Sequence, residues 1–220
     1  NAQVGSIKDV NGSDGTYGIR YTLADIAGSG FKLDYMYFPK HSTGDATADQ
    51  SFSGSAGGGA DAQDAHDITL TGAVPGIDGL SMGIGYAELN YNLKQAGSPT
   101  TSQEEATAYV KYAVGPIALG YQIGGVSEEG LGNLTYKNEY FGISYAVSDN
   151  LSLSYNRIES QKGTHELTFT QGTDQDFDSV SLSYTAGGMT IGIADADCSN
   201  CSYTNNRKQN ETTVSLSVAF

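Results

Sequence analysis

The sequence predicts an all-β fold: an antiparallel transmembrane β-barrel with short turns at one end and long loops at the other. Three observations carry this. Apolar residues alternate with small or polar ones at period two through the whole chain. The connections between the alternating segments are short and long in turn. Only 38% of the 220 residues are hydrophobic, among 29 glycines, 15 tyrosines, 7 phenylalanines and no tryptophan, which is thin for the core of a soluble globule. No apolar run approaches the roughly 18 residues of a membrane helix, which excludes helical spanning but not strands, whose hydropathy signal is weak.

The alternation marks about eleven strands. Ile19, Tyr21 and Leu23 open the series, followed by Leu33, Tyr35 and Tyr37, then Ile68 and Leu70. Met82, Ile84 and Tyr86 form the fourth, Val110, Tyr112 and Val114 the fifth, and Leu119, Tyr121 and Ile123 the sixth. Phe141, Ile143 and Tyr145 precede Leu151, Leu153 and Tyr155, then Val180, Leu182 and Tyr184. Met189, Ile191 and Ile193 come before the closing Val214, Leu216, Val218 and Phe220. The tight connections are 24–30, 74–79, 115–116, 148–150 and 187–188. The long ones are 40–65, 93–103, 127–133, 161–176 and 195–210, rich in Gly, Ser, Asp, Asn and Thr as solvated loops are. Sorting loops by end in this way suits a membrane barrel, and a soluble sandwich has no reason for it.

The second face of each strand separates barrel from soluble sheet. Water on a soluble sheet selects Lys, Glu, Arg and Thr there. This chain places mainly Ser, Gly, Ala and Thr, as in Ser179, Ser181 and Ser183 opposite Val180 and Leu182. Small polar residues suit a crowded lumen wall, and the strand tyrosines suit aromatic girdles at the membrane interfaces. The alternative is a secreted sandwich or adhesin module. Net charge is -14, which argues against nucleic acid as a partner. Residues 1–4 have neither the basic start nor the apolar stretch of a signal peptide.

The last segment, TTVSLSVAF, resembles the C-terminal strand of bacterial outer-membrane proteins, which ends in an aromatic residue. The stretches MGIGYAELNY, YFGISYAVSDNLSLSYNRIE and VSLSYTAGGMTIGIAD resemble Gram-negative general porins, particularly those of alphaproteobacteria. The opening NGSDGTYGIRYTL and GFKLDYMY resembles the strand pair that follows the porins' inward-folded constriction loop. The resemblance implies an outer-membrane channel for passive diffusion of small hydrophilic solutes and ions, a homotrimer, and contact with lipopolysaccharide and outer-membrane lipids. It also implies that Phe220 serves as an assembly signal for the barrel-insertion machinery. It makes residues 1–14 the tail of the constriction loop, with Asp9 and Asp14 near the pore. Residues 1–220 then form one barrel domain, part of a sixteen-stranded whole; the competing expectation is a twelfth strand at 3–10. The other functional readings are a surface anchor or adhesin, and less so a barrel-embedded hydrolase.

Five charges fall in the inward phase: Arg20, Lys32, Asp34, Asp67 and Lys111. Basic and acidic groups facing one another would set a transverse field that filters solutes; the plainer reading is charges hydrated in a wide lumen. Asp174, Asp176 and Asp178 have calcium-loop spacing but lack the Gly and Glu such a loop needs, so they read as loop carboxylates. His66-Asp67 and His165-Glu166 are His–acid neighbours, but strand neighbours point to opposite faces, which makes catalytic pairing awkward. No enzyme, metal or cofactor is expected. Cys198 and Cys201 have too few companions for four-ligand zinc and read as a loop disulfide. Glu139, Arg157 and Asp195 continue the lipid-facing phase, where a charge at mid-bilayer costs a few kcal/mol. Headgroup level, a subunit contact or a phase-resetting bulge would each accommodate them.

Overall fold

The computed structural model describes residues 10, 12, 15–41, 60–93, 100–128, 134–165 and 169–218. Among them are eleven strands: β1 (Gly15–Leu23), β2 (Phe31–His41), β3 (Ala60–Ala73), β4 (Leu80–Leu93), β5 (Thr100–Val114), β6 (Ile117–Glu128), β7 (Leu134–Ser148), β8 (Leu151–His165), β9 (Phe169–Ala186), β10 (Met189–Ser199) and β11 (Lys208–Val218). They form one sheet in sequence order, every neighbouring pair antiparallel, with β1 and β11 at its two edges. Such an all-next-neighbour meander is what tight hairpins produce when each strand pairs with the one before it.

The five short turns fall where the sequence puts them. Gly76, Gly79, Gly115, Gly187 and Gly188 take positive φ there, a conformation that a side chain resists. The long connections need correction. β8 runs to His165 and β9 starts at Phe169, so most of the expected loop 161–176 is strand. The expected loops 40–65, 93–103 and 195–210 shorten in the same way, and Asp174, Asp176 and Asp178 lie on β9 instead of in a loop. Polarity misled the reading: alternation continues through these stretches, but with charged residues in the formerly apolar phase.

That change of phase divides the sheet into two bands. In the band next to the short turns, one face carries Ile84, Val110, Ile123, Ile143, Leu153, Val180 and Ile193, all well exposed. We call this face outward. Burial patterns along β7 and β10 show the opposite phase as the less exposed one. Nearer the long loops, inward residues become the buried ones. Phe38, Ala65, Ala87, Leu89 and Tyr91 pack as one cluster, and Glu105, Val126, Tyr136, Asn138, Ser160 and Gln175 are also buried. Gly83 shows how closely the inward wall packs: a Cβ there would meet the Tyr109 ring at 2.5 Å.

Candidate functional site: the inward wall and two segments folded onto it

The inward wall of the short-turn band is built from small polar residues. Ser81, Lys111, Gly120, Gly142, Ser144 and Asn156 line one shallow hollow on β4 to β8. Ser154 and Ser181 share a hydrogen bond across β8 and β9, 2.6 Å between hydroxyl oxygens. Longer inward side chains stand beside this hollow, among them Tyr109, Gln122 and Tyr140.

The expected pore-lining charges do not all work as one set. Arg20, Lys32 and Asp34 meet on β1 and β2. Asp34 accepts from Arg20 Nη2 at 2.9 Å and from the Thr22 hydroxyl at 2.5 Å, and it pairs with Lys32 Nζ at 2.5 Å. The acid therefore offsets its neighbours on the same wall. Arg20 and Lys32 remain about half exposed, so the knot leaves a net positive spot. Lys111 stands apart on β5, its ammonium 5.1 Å from the centre of the Tyr109 ring. Asp67 sits elsewhere again, on β3 beside Gly12.

Gly12 lies on the inward face. Its amide donates to Glu105 Oε2 at 2.8 Å, and Gln103 Nε2 donates to the other oxygen at 2.6 Å. Glu105 is 2% exposed, and a buried carboxylate with two such donors is a strong anchor. Gly12 has φ +72°, and a Cβ on it would come within 2.6 Å of Asp67 Oδ2, so glycine suits this approach. Val10 reaches the β6 wall at Gly124. Asp9, Asp14 and Phe220 lie outside the described residues.

A second segment folds onto the same face from the β10–β11 connection, where residues Cys201–Tyr203 form a single 3-10 turn, η1. Cys198 and Cys201 are joined as a disulfide and buried, with the half-buried Phe177 and Ala196 packed against them. The Ser202 amide donates to Gln175 Oε1 at 2.6 Å. Tyr203 and Ser160 hydroxyls are 2.7 Å apart, and Ser160 donates to Asn138 at 2.6 Å. Gln103, Glu105, Tyr136, Asn138, Ser160 and Gln175 were not singled out from the sequence. Extending the Tyr109–Lys111 phase backward by twos reaches Glu105 and Gln103, which is the signal that finds them.

The outward face of the long-loop band is charged. Glu139 accepts from Tyr121 at 2.8 Å, and Thr212 donates to Asp195 at 2.6 Å. Arg157 lies 2.7 Å from Glu159 and 3.8 Å from Asp178. Pairing runs without a shift through Glu139, Arg157 and Asp195, which removes the bulge explanation for them. His66 turns outward to Tyr35, 2.7 Å away, while Asp67 faces inward, so the two do not form a pair.

No family model and no curated protein sequence matches the chain. Solved structures do. The anion-selective porin from Comamonas acidovorans superposes with a TM-score of 0.67 at 13% identity, over 97% of this chain and 64% of that one. Outer-membrane expressed OmpT of Vibrio cholerae gives 0.57 at 10% identity, over 90% and 61%. Its loop L8 deletion mutant gives 0.56 at 11%, also over 90% and 61%. The chain thus spans less than two thirds of each of these proteins. At such identities the likeness concerns fold. The fold is that of bacterial outer-membrane β-barrel proteins.

Proposed function

We propose that this protein is an outer-membrane porin of a Gram-negative bacterium, of the alphaproteobacterial general type, passing small hydrophilic solutes and ions by passive diffusion. One observation carries the reading: the pattern is inside out. Exposed apolar side chains cover the outward face of the short-turn band, and small polar residues line the inward wall. Lipid satisfies the first and water the second, and the strand hydrogen bonds satisfy the backbone between them. The outward charges then stand at the headgroup level, where contact with lipopolysaccharide or a neighbouring subunit of a homotrimer accommodates them. Insertion relies on the barrel-assembly machinery reading Phe220. The wall performs no covalent chemistry in this reading and needs no cofactor.

Planar-bilayer recording of the purified protein tests it. Stable ohmic steps in salt are expected. A barrel that is folded by heat-modifiable gel migration and never conducts would contradict the channel and favour the anchor reading.

A further inference from the structure

The connection between β10 and β11 has a geometry that a plain solvated loop does not need. Asn200, Ser202, Tyr203 and Asn206 all take positive φ, between 52° and 63°. Each costs of order 1 kcal/mol in a residue with a side chain and persists only where the surroundings over-determine it. Here the surroundings are the inward wall. Ser202 is held by Gln175, which is fully buried, and Tyr203 by Ser160, which is fully buried too. The Tyr203 ring meets Tyr136 edge-on at 5.7 Å, and the Lys162 ammonium stands 5.8 Å from the centre of each ring. The disulfide ties the turn to the end of β10.

The turn's position relates it to the other in-folded segment. Gln175 pairs with Ser160, Ser160 with Asn138, Asn138 with Gly124 and Gly124 with Thr107 across five strands. The turn rests on the β8–β9 end of this row, and Val10 meets Gly124 near its other end. The wall is therefore covered from two directions along one cross-strand row.

We propose that the disulfide-closed turn Cys201–Tyr203 is a constriction of the lumen, with Tyr203 setting its width and Lys162 its charge. This rests on the channel reading. A lysine held beside two aromatic rings presents its charge at a fixed place, where it attracts anions and opposes cations more than a freely moving side chain would.

Single-channel recording of wild type, Tyr203→Ala and Lys162→Gln tests it, each first shown to be folded by heat-modifiable migration. Tyr203→Ala should raise unit conductance at least about 1.5-fold, because conduction follows the narrowest section. Lys162→Gln keeps the size of the side chain and should shift the reversal potential toward cations at low salt. Unchanged conductance in the first and an unchanged reversal potential in the second would overturn the constriction while leaving the channel intact. If Tyr203→Ala does not fold, the Lys162→Gln reversal potential alone decides. Folded wild type and variants that never conduct would overturn the channel reading, and this inference with it.

Discussion

On β7 to β10 the outward positions toward the short turns are Ile143, Tyr145, Leu151, Leu153, Leu182, Tyr184, Ile191 and Ile193, whereas toward the long loops come Glu139, Arg157, Asp178 and Asp195; Phe141 and Val180, paired with Arg157 and Asp195, stand at the boundary. The pairing runs without a shift from one set to the other; in the proposed channel the solvent outside is what changes. The inward face changes too, from mostly half-buried Ser and Gly to buried Tyr136, Asn138, Ser160 and Gln175. In the proposed channel the short-turn band is a wall between lipid and water. The long-loop band then has a wet exterior, and its interior packs as that of a soluble sheet does.

The largest expected effect separates the bands by their tolerance of charge. Leu153→Arg, outward in the short-turn band, should cost about 2–4 kcal/mol in equilibrium unfolding from lipid vesicles. Asn210→Arg, outward on β11 beside Asp197, should cost less than about 0.5 kcal/mol. Equal costs at the two positions would erase the distinction. Next comes the inward packing. Glu105→Ala leaves the Gly12 amide and the Gln103 side chain without this acceptor, at about 1–3 kcal/mol. It should also raise unit conductance, because the Gly12 backbone is released from the inward wall. A comparable loss from Ser154→Ala in the bare wall would show that the long-loop band is not specially packed.

The disulfide should matter less. It closes a loop with a sequence separation of 3, so the double change Cys198→Ser and Cys201→Ser should cost no more than about 2 kcal/mol. The barrel should still show heat-modifiable migration, and thiol labelling of intact cells should find neither cysteine free in the native protein. The smallest effect on stability belongs to Asp34→Asn: Asp34 is buried, but Arg20 and Lys32 stay about half exposed and hydrated without it, and the amide oxygen still accepts from Thr22. Its signature is electrical. Native channels should prefer cations weakly at low salt, and the variant, with Arg20 and Lys32 no longer offset, should move toward anions. Both differences should fade as salt shortens the field.

The same division explains what the sequence disclosed. Turns such as Gly115-Pro116 and Gly187-Gly188, and strands such as Leu151–Tyr155, were legible because lipid, glycine and register agree there. Residues 161–176 were misread as loop because Glu159, Asp174 and Asp176 occupy positions where an apolar residue was sought. Arg20, Lys32 and Asp34 were legible as inward charges, but their mutual pairing was not. Alternation gives the face of a residue and leaves open which neighbouring strand position it reaches. The Gly12–Glu105 contact joins residues 93 apart and needs the fold to be seen.

The central claim is that the apolar face of the short-turn band meets lipid and its polar face meets water. Spin labels placed singly at Leu153, Ser154 and Glu159 of the vesicle-inserted protein test this through collision with oxygen, which partitions into lipid, and with a water-soluble nickel chelate. The account predicts oxygen-dominated relaxation at 153 and nickel-dominated relaxation at 154 and 159. Nickel access at 153, or oxygen dominance at 154, would contradict it.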